Sequence, residues 1–276
     1  MHKLILITLV YSFFCLNTFS QEQEESIDEL NRRIENPLSR YWSLIFQGNY
    51  GTFKGDALNE AVHTNVINFQ PSLPVPIAKS KMLLIRPVFP WITAPVLKPD
   101  SMVDYYTSGF GDMQVFSLFG PDKKDGLIWG LGLTFVFPTA STEFLGKQRF
   151  QMGPAIMLLS ISKKWTLGGI VQNWFYKPND KVEASSMDIQ YIFRRQIKGK
   201  GMSIGMGPNV VIDWQAEPGN QLTFPIGLGI TKTVKWGKTP WKLRIEPQYA
   251  LIKPDNIGAE WNLRIQIAPI IKNPFH

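Results

Sequence analysis

Apolar and polar residues alternate along this chain in about twelve separate segments. That period of two constrains the fold more than any other feature. From Leu222 to Trp236 one parity reads Leu222, Phe224, Ile226, Leu228, Ile230, Lys232, Val234 and Trp236. The other reads Thr223, Pro225, Gly227, Gly229, Thr231, Thr233 and Lys235. Successive side chains of a strand point to opposite faces, so this segment has one greasy face and one small or polar face. Strands are expected near 41–50, 63–73, 82–92, 110–119, 127–138, 150–161, 165–176, 185–195, 201–214, 221–234, 240–251 and 259–271. Most are about ten residues or longer, enough to cross a bilayer at a tilt, whereas ordinary globular strands average about five or six.

The fold class expected from this pattern is all-β: a transmembrane antiparallel up-and-down β-barrel of about 12 strands. The gaps support it. Those after the first, third and fifth strands are long (51–62, 93–109 and 139–149), and those between are short (74–81, 120–126 and 162–164). Long loops on one side and short turns on the other are a barrel habit, the long loops being extracellular. The alternation is least clear over 150–176, where Gly153, Gly168 and Gly169 interrupt it.

Composition is consistent with this reading. Hydrophobic content is 44% and mean hydropathy is -0.07, too low for a helical membrane bundle but not for a barrel diluted by lumen-facing residues. The net charge of +7 comes without a basic run interleaved with aromatics, so nucleic acid is not an expected partner.

Residues 1–20 read as a secretory signal peptide, with His2 and Lys3 before an apolar run from Leu4 to Phe14 and Ser20 at the cleavage site. The single cysteine, Cys15, lies inside it; Phe13 and Phe14 are too bulky for a lipoprotein signal there. Residues 21–38 read as a periplasmic lead-in, a short helix or disordered, with Ser26 and Glu29 resembling a capping box and Ile27, Leu30 and Ile34 forming a stripe. Residues 39–276 are the expected barrel domain.

Parity assigns the two faces. The lipid face is expected to carry Trp42, Leu44 and Phe46; Leu83, Ile85, Phe89 and Trp91; Trp129, Leu131, Leu133, Phe135 and Phe137; Trp241, Leu243, Ile245 and Tyr249; and Trp261, Leu263, Ile265 and Ile267. Trp42, Trp91, Trp129, Trp214, Trp236, Trp241 and Trp261 fall at or near strand ends, where amphipathic rings suit the headgroup level. The opposite face supplies candidate lumen and selectivity residues: Arg86, Asp112, Gln114, Asp188, Gln190, Asp213, Arg244, Glu246, Gln248, Arg264 and Gln266. Buried charges must pair or meet water. These either fill a narrow barrel with ion pairs or form a constriction that selects a solute.

Enzyme chemistry is not expected. The histidines are His2, His63 and His276, too few and too scattered for a metal site, and His63 stands beside no nucleophile elbow. The glycines of 109–112 and 205–208 lack the rest of a phosphate loop. No cofactor and no catalytic residue is expected.

Several phrases, in order, carry a family resemblance. They are Asn36-Pro37-Leu38; Gly109-Phe110-Gly111-Asp112-Met113-Gln114 leading to Ser117-Leu118-Phe119; and Trp129-Gly130-Leu131-Gly132 leading to Phe137-Pro138-Thr139-Ala140. Leu145-Gly146, Gly153-Pro154, Gln172-Asn173-Trp174 and Asp213-Trp214-Gln215-Ala216 follow. Residues 36–271 thereby resemble the outer-membrane barrel family labelled as a transporter of the meta-pathway of phenol degradation, often misnamed after the hormone neuromedin. The resemblance implies passage of aromatic or other hydrophobic compounds and no transferable catalytic residues. The penultimate Phe275 resembles the terminal signal read by the barrel-assembly machinery.

The functional expectation is therefore a bacterial outer-membrane barrel that passes small solutes passively, with outer-membrane lipids and the barrel-assembly machinery as partners. The alternative is a non-conducting structural or partner-binding barrel with a salt-bridged, plugged lumen. A sideways exit for apolar solutes at Pro154, Pro208 or Pro225 would follow from their missing ladder donors.

Overall fold

A computed structural model describes residues 26–98, 102–179 and 181–275. The leader with Cys15, the first residues of the lead-in and His276 lie outside the described residues. Fifteen strands form one antiparallel sheet: β1 (Tyr41–Lys54), β2 (Val62–Ala78), β3 (Lys81–Leu97), β4 (Val103–Phe110), β5 (Met113–Pro121), β6 (Gly126–Phe137), β7 (Gln151–Ile161), β8 (Trp165–Tyr176), β9 (Glu183–Ile197), β10 (Met202–Met206), β11 (Asn209–Asp213), β12 (Leu222–Gly227), β13 (Gly229–Trp236), β14 (Thr239–Ile252) and β15 (Gly258–Lys272). One helix, α1 (Ile27–Arg33), precedes them. β4 with β5, β10 with β11 and β12 with β13 are single staves broken by a short interruption, which makes a closed barrel of 12 strands. Closure is made by β1 on β15, antiparallel from Tyr41 opposite Lys272 to Lys54 opposite Gly258.

The short turns and both ends of the strand set lie at one end of the barrel, here the turn end; the longer connections lie at the loop end. The connection expected over 93–109 is mostly not a loop. β3 and β4 run on as a hairpin, Trp91 pairing Phe110 and Leu97 pairing Val103.

The outer surface is a continuous apolar skin. Leu131 and Leu158 are each 54% exposed, and Phe46, Ile156, Ile245 and Ile265 are similarly bare. Four of the expected tryptophans, Trp42, Trp129, Trp236 and Trp241, lie toward the turn end, joined by Trp165; Trp91, Trp214 and Trp261 lie toward the loop end. Trp174 instead turns inward, its indole N–H donating to Thr134 Oγ1 at 3.0 Å.

Inside, the turn end is packed dry. Met82, Leu84, Phe116, Leu118, Ile128, Ala155, Met157, Leu159, Ile161, Ile170 and Ile192 form one buried cluster from β3, β5, β6, β7, β8 and β9. β7 explains why alternation fades in this part of the sequence. Its residues alternate strictly between buried and exposed, yet both sets are mainly apolar: Ala155, Met157, Leu159 and Ile161 inside, Met152, Ile156 and Leu158 outside. A strand that is apolar on both faces carries no period-two signal.

Gly168 holds β8 against β7. Its φ is 137°, and a Cβ there would stand 2.1 Å from the Leu158 carbonyl oxygen. Gly168→Val should therefore prevent β7–β8 pairing and abolish the compact, fast-migrating form of the unheated protein on a gel. Gly48→Ala is the control, since no atom lies within 4 Å of its added Cβ, and should keep that form.

Candidate functional site

The segment before β1 builds the floor of the site. Ser26 caps α1, its hydroxyl accepting from Glu29 N–H at 3.2 Å. The apolar stripe Ile27, Leu30 and Ile34 packs on Tyr41, Ile45, Ala268 and Ile270. Asn31 is wholly buried, donating to Gln196 Oε1 at 2.7 Å and accepting from Thr233 Oγ1 at 2.7 Å. The Asp28 carboxylate accepts from the backbone of Gly199 and Gly201 in the β9–β10 turn. Asn36-Pro37-Leu38 then turns the chain into the barrel mouth. Asn36 accepts from Leu38 N–H at 2.9 Å and donates to Lys123 O at 3.0 Å, and Leu38 is fully buried in the apolar cluster. Gly120 makes its socket: a Cβ there would lie 2.6 Å from Leu38 Cδ1. Residues 26–40 thus form a stopper across the turn end.

One carboxylate locks it. Glu35, its side chain 1% exposed, is ion-paired to Arg194 and lies 3.4 Å from Lys242 Nζ. Burial alone would raise its pKa. The positive charges of Arg194, Lys242 and Arg244, with the Arg194 hydrogen bond, outweigh that and hold the carboxyl at about 2.

Above the floor lies a chamber of about 760 Å³. Arg86, Asp112, Gln114, Asp188, Gln190, Arg244, Gln248, Arg264 and Gln266 line it; Glu246 is buried behind Arg244, and Asp213 is not on its wall. Asp213 stands at the loop-end rim, 3.7 Å from Lys147 Nζ. Asp112 does not face the chamber as a free anion. It occupies the break between β4 and β5 and accepts from Thr139, Ala140 and Lys147 backbone N–H at 3.1, 3.1 and 2.7 Å, pinning the β6–β7 connection.

Arg244, Glu246 and Arg264 are gathered by a fault in the wall. Gly205 pairs Gly229 on β13, and Val211 pairs Thr223 on β12. Between them, Met206–Val210 and Phe224–Leu228 share a register but form no ladder; Pro208 and Pro225 sit in this gap. Side chains satisfy the freed backbone. Glu246 accepts from Gly207 N–H at 2.8 Å. Arg264 and Gln190 donate to Gly207 O at 2.8 and 3.1 Å. Arg244 donates to Gly205 O at 3.3 Å and to Thr231 Oγ1, and is ion-paired to Glu246. The Tyr191 hydroxyl reaches Pro225 O at 2.6 Å. Asp188 accepts from Asn209 at 2.8 Å, and Asn209 in turn accepts from Arg264 at 2.9 Å.

Arg86 stands apart. Its guanidinium lies 5.5 Å from the Phe116 ring centroid, its Nε is buried without a hydrogen-bond partner, and no carboxylate among the described residues pairs with it.

Neither Arg194 nor Glu35 was among the residues expected in the lumen; parity could have found Arg194, which shares the inward face of β9 with Asp188 and Gln190, but Glu35 had no such signal. Its role depends on a docking the lead-in's local sequence does not encode. His63 stacks on Tyr50 and lies 3.2 Å from Thr52; neither residue is the serine or acid of a hydrolytic triad. Among the described residues no three His, Cys, Asp or Glu side chains gather as a metal site.

No protein-family model and no curated protein matches the chain. Among solved structures it is similar to an outer-membrane channel from Pseudomonas putida F1, with TM-score 0.64, 13% identity, and coverage of 84% of this chain and 94% of that one. That likeness supports the 12-stranded barrel. Salmonella typhi OmpF in complex with daunomycin (8% identity, 84% and 96% coverage) and a Pseudomonas aeruginosa FadL homologue (6% identity, 86% and 91% coverage) align only at 0.36 and 0.37.

Removing the charge of Glu35 leaves Arg194 and Lys242 buried without their counter-ion, a loss of about 3–5 kcal/mol for a buried pair. Glu35→Gln should therefore speed tryptic cleavage after Arg32 and Arg33. The pH dependence has a definite sign. A carboxyl held below its ordinary 4.5 contributes fully above about 4.5 and loses that contribution as pH falls through about 2. Protection against hydrogen exchange across residues 27–40, relative to the intrinsic rate at each pH, should hold at pH 5 and fall only on approach to pH 2.

Proposed function

We propose that this protein is a bacterial outer-membrane channel that admits small solutes from the loop end into a polar chamber and is closed at the turn end by its own N-terminal segment. One observation carries the reading: a closed barrel, apolar outside, encloses a chamber of about 760 Å³ lined by amide and charged side chains. A barrel wall hydrogen-bonded in a closed ring suits hydrocarbon, because it leaves no open sheet edge. The two groups of tryptophans suit the two interfaces. On this reading the turn end, with the lead-in, is periplasmic, the loops are extracellular, and residues 1–20 are the export signal. The Pseudomonas putida neighbour is an outer-membrane channel, and the ordered sequence phrases resemble a family labelled for transport of phenol-pathway compounds; both support the same reading.

The route is passive. A polar chamber lowers the cost of desolvating a solute, and the stopper must yield before the solute reaches the turn end. An apolar solute has a shorter way out, sideways through the gap between Met206–Val210 and Phe224–Leu228, which the Tyr191 hydroxyl bridges. The second reading, a non-conducting barrel, is favoured by the dry apolar packing at the turn end.

Planar-bilayer recording of the refolded, leader-free protein separates them. A channel gives discrete conductance steps, and Glu35→Gln, which weakens the stopper, raises the open fraction at least several-fold. Silence from both proteins, each shown to be folded, sinks the channel reading in favour of the plugged barrel. Pro208→Val with Pro225→Val restores donors to the gap; if vesicle uptake of an apolar solute is then unchanged, the lateral route is wrong.

A further inference from the structure

The charges on and behind the chamber wall differ in how they are used. Glu35 is held by Arg194 and Lys242, Glu246 by Arg244 and Gly207 N–H, Asp188 by Asn209, Asp112 by three backbone N–H groups, and Glu260 by Lys54 at 2.9 Å. The cations are nearly all engaged too. Arg264 spends its donors on Asn49, Asn209 and Gly207 O, and Lys147 lies against Ser185 and Asp213. Among the described charged residues of this wall, Arg86 alone has neither an ion pair nor a hydrogen bond.

Its position is unusual for an unpaired charge. It is carried on β3 directly above Met82 and Leu84, opposite Phe116 on β5, where the dry floor meets the chamber. The ring face of Phe116 gives it some attraction, but its Nε is buried without a partner, which is costly; the side chain as a whole is half-buried, and its terminal nitrogens keep their donors for a ligand in the chamber. Val88, Phe116, Val136, Ile170 and Ile192 line the same chamber with apolar surface. A fixed cation beside an apolar wall is complementary to an amphiphilic anion: a carboxylate that takes the guanidinium in a two-pronged hydrogen bond and a small apolar body that lies against the wall.

We infer that Arg86 is a binding site for the acidic headgroup of the solute, so that the chamber takes small organic carboxylates in preference to their neutral or cationic counterparts. The inference rests on the chamber being a solute site, as the channel reading holds. It is nevertheless tested by binding rather than by passage, so a silent bilayer would overturn the channel and leave this result standing.

The experiment titrates the full mature protein, folded in detergent, with benzoate, benzyl alcohol and benzylamine, which share a ring and differ in headgroup, by ligand-observed NMR. Charge-assisted hydrogen bonds are about twice as strong as neutral ones, and hydrogen bonds to charged groups are the stronger class in proteins. Benzoate should bind at least tenfold tighter than either of the others. Arg86→Gln should remove that preference, weakening benzoate at least tenfold and changing benzyl alcohol less than twofold. Arg86→Lys, which keeps the charge but loses the planar fork, should fall between. Equal binding of the three probes by the wild-type protein overturns the inference, as does no binding of benzoate. So does an Arg86→Gln variant that keeps its preference, which would move the site to another cation. If Arg86→Gln does not fold, Arg86→Lys carries the test alone, and unchanged benzoate binding there counts against the assignment.

Discussion

Every backbone N–H and C=O of a wall that faces an apolar environment must find a partner within the protein, and the rest of this structure follows from that demand. Pairing of β1 with β15 meets it for the ring as a whole. At two of the places where proline interrupts the ladder, the demand is met by other means. At Pro90, beside the β4–β5 break, Gly111 N–H still reaches Pro90 O at 2.9 Å, and Asp112 is released to hold the β6–β7 connection. At Pro208 and Pro225 the work falls to side chains: Glu246, Arg264, Gln190, Arg244 and Tyr191 each take up an exposed peptide group of the broken staves or hold one that does. Most of the charge inside the barrel is therefore part of the wall.

The interior divides accordingly. Staves from β3 to β9 contribute a packed apolar cluster near the turn end, while β9, β14 and β15 contribute a charged network. Arg194, Lys242 and Arg244 come from that network, and three buried cations close together would repel one another without a counter-ion. Glu35 provides it, and being carried on the stopper it ties closure of the turn end to neutralisation of the network. Leu38 does the corresponding job on the apolar side, filling the socket left by Gly120. Around these two anchors the stopper is also held by the apolar stripe of α1 and by the hydrogen bonds of Asp28, Asn31 and Asn36. A short segment outside the sheet ladder can leave as a unit, whereas a core strand cannot.

On the proposed reading, charge pairing also decides what the chamber can recognise. A charge already satisfied by protein gains little from a solute, because it must give up an equivalent partner. Arg244 and Arg264, which look from the sequence like the natural selectivity residues, are engaged in this way. Arg86 is not, and its seat on the border between apolar floor and polar chamber gives a ligand both a headgroup contact and a surface for its apolar part.

The sequence by itself determined the barrel: the number of staves, their inward and outward parities, the aromatic residues near strand ends, and the long and short connections that alternate from β1 to β8. These are local properties, since strand geometry forces period-two alternation wherever the two faces meet different surroundings. Tertiary structure alone decided the rest. β7 looked irregular because both its faces meet apolar neighbours. The connection at 93–109 became a hairpin because β3 and β4 could go on pairing beyond Trp91. Asp213 shares the inward parity of Asn209, but parity says nothing of height, and it ends at the rim. Above all, which charges are partnered depends on residues far apart in the chain, Glu35 with Arg194 or Gly207 with Glu246, brought together only when the ring closes and the stopper docks. Alternation tells which way a side chain points; only the closed barrel determines what it meets there.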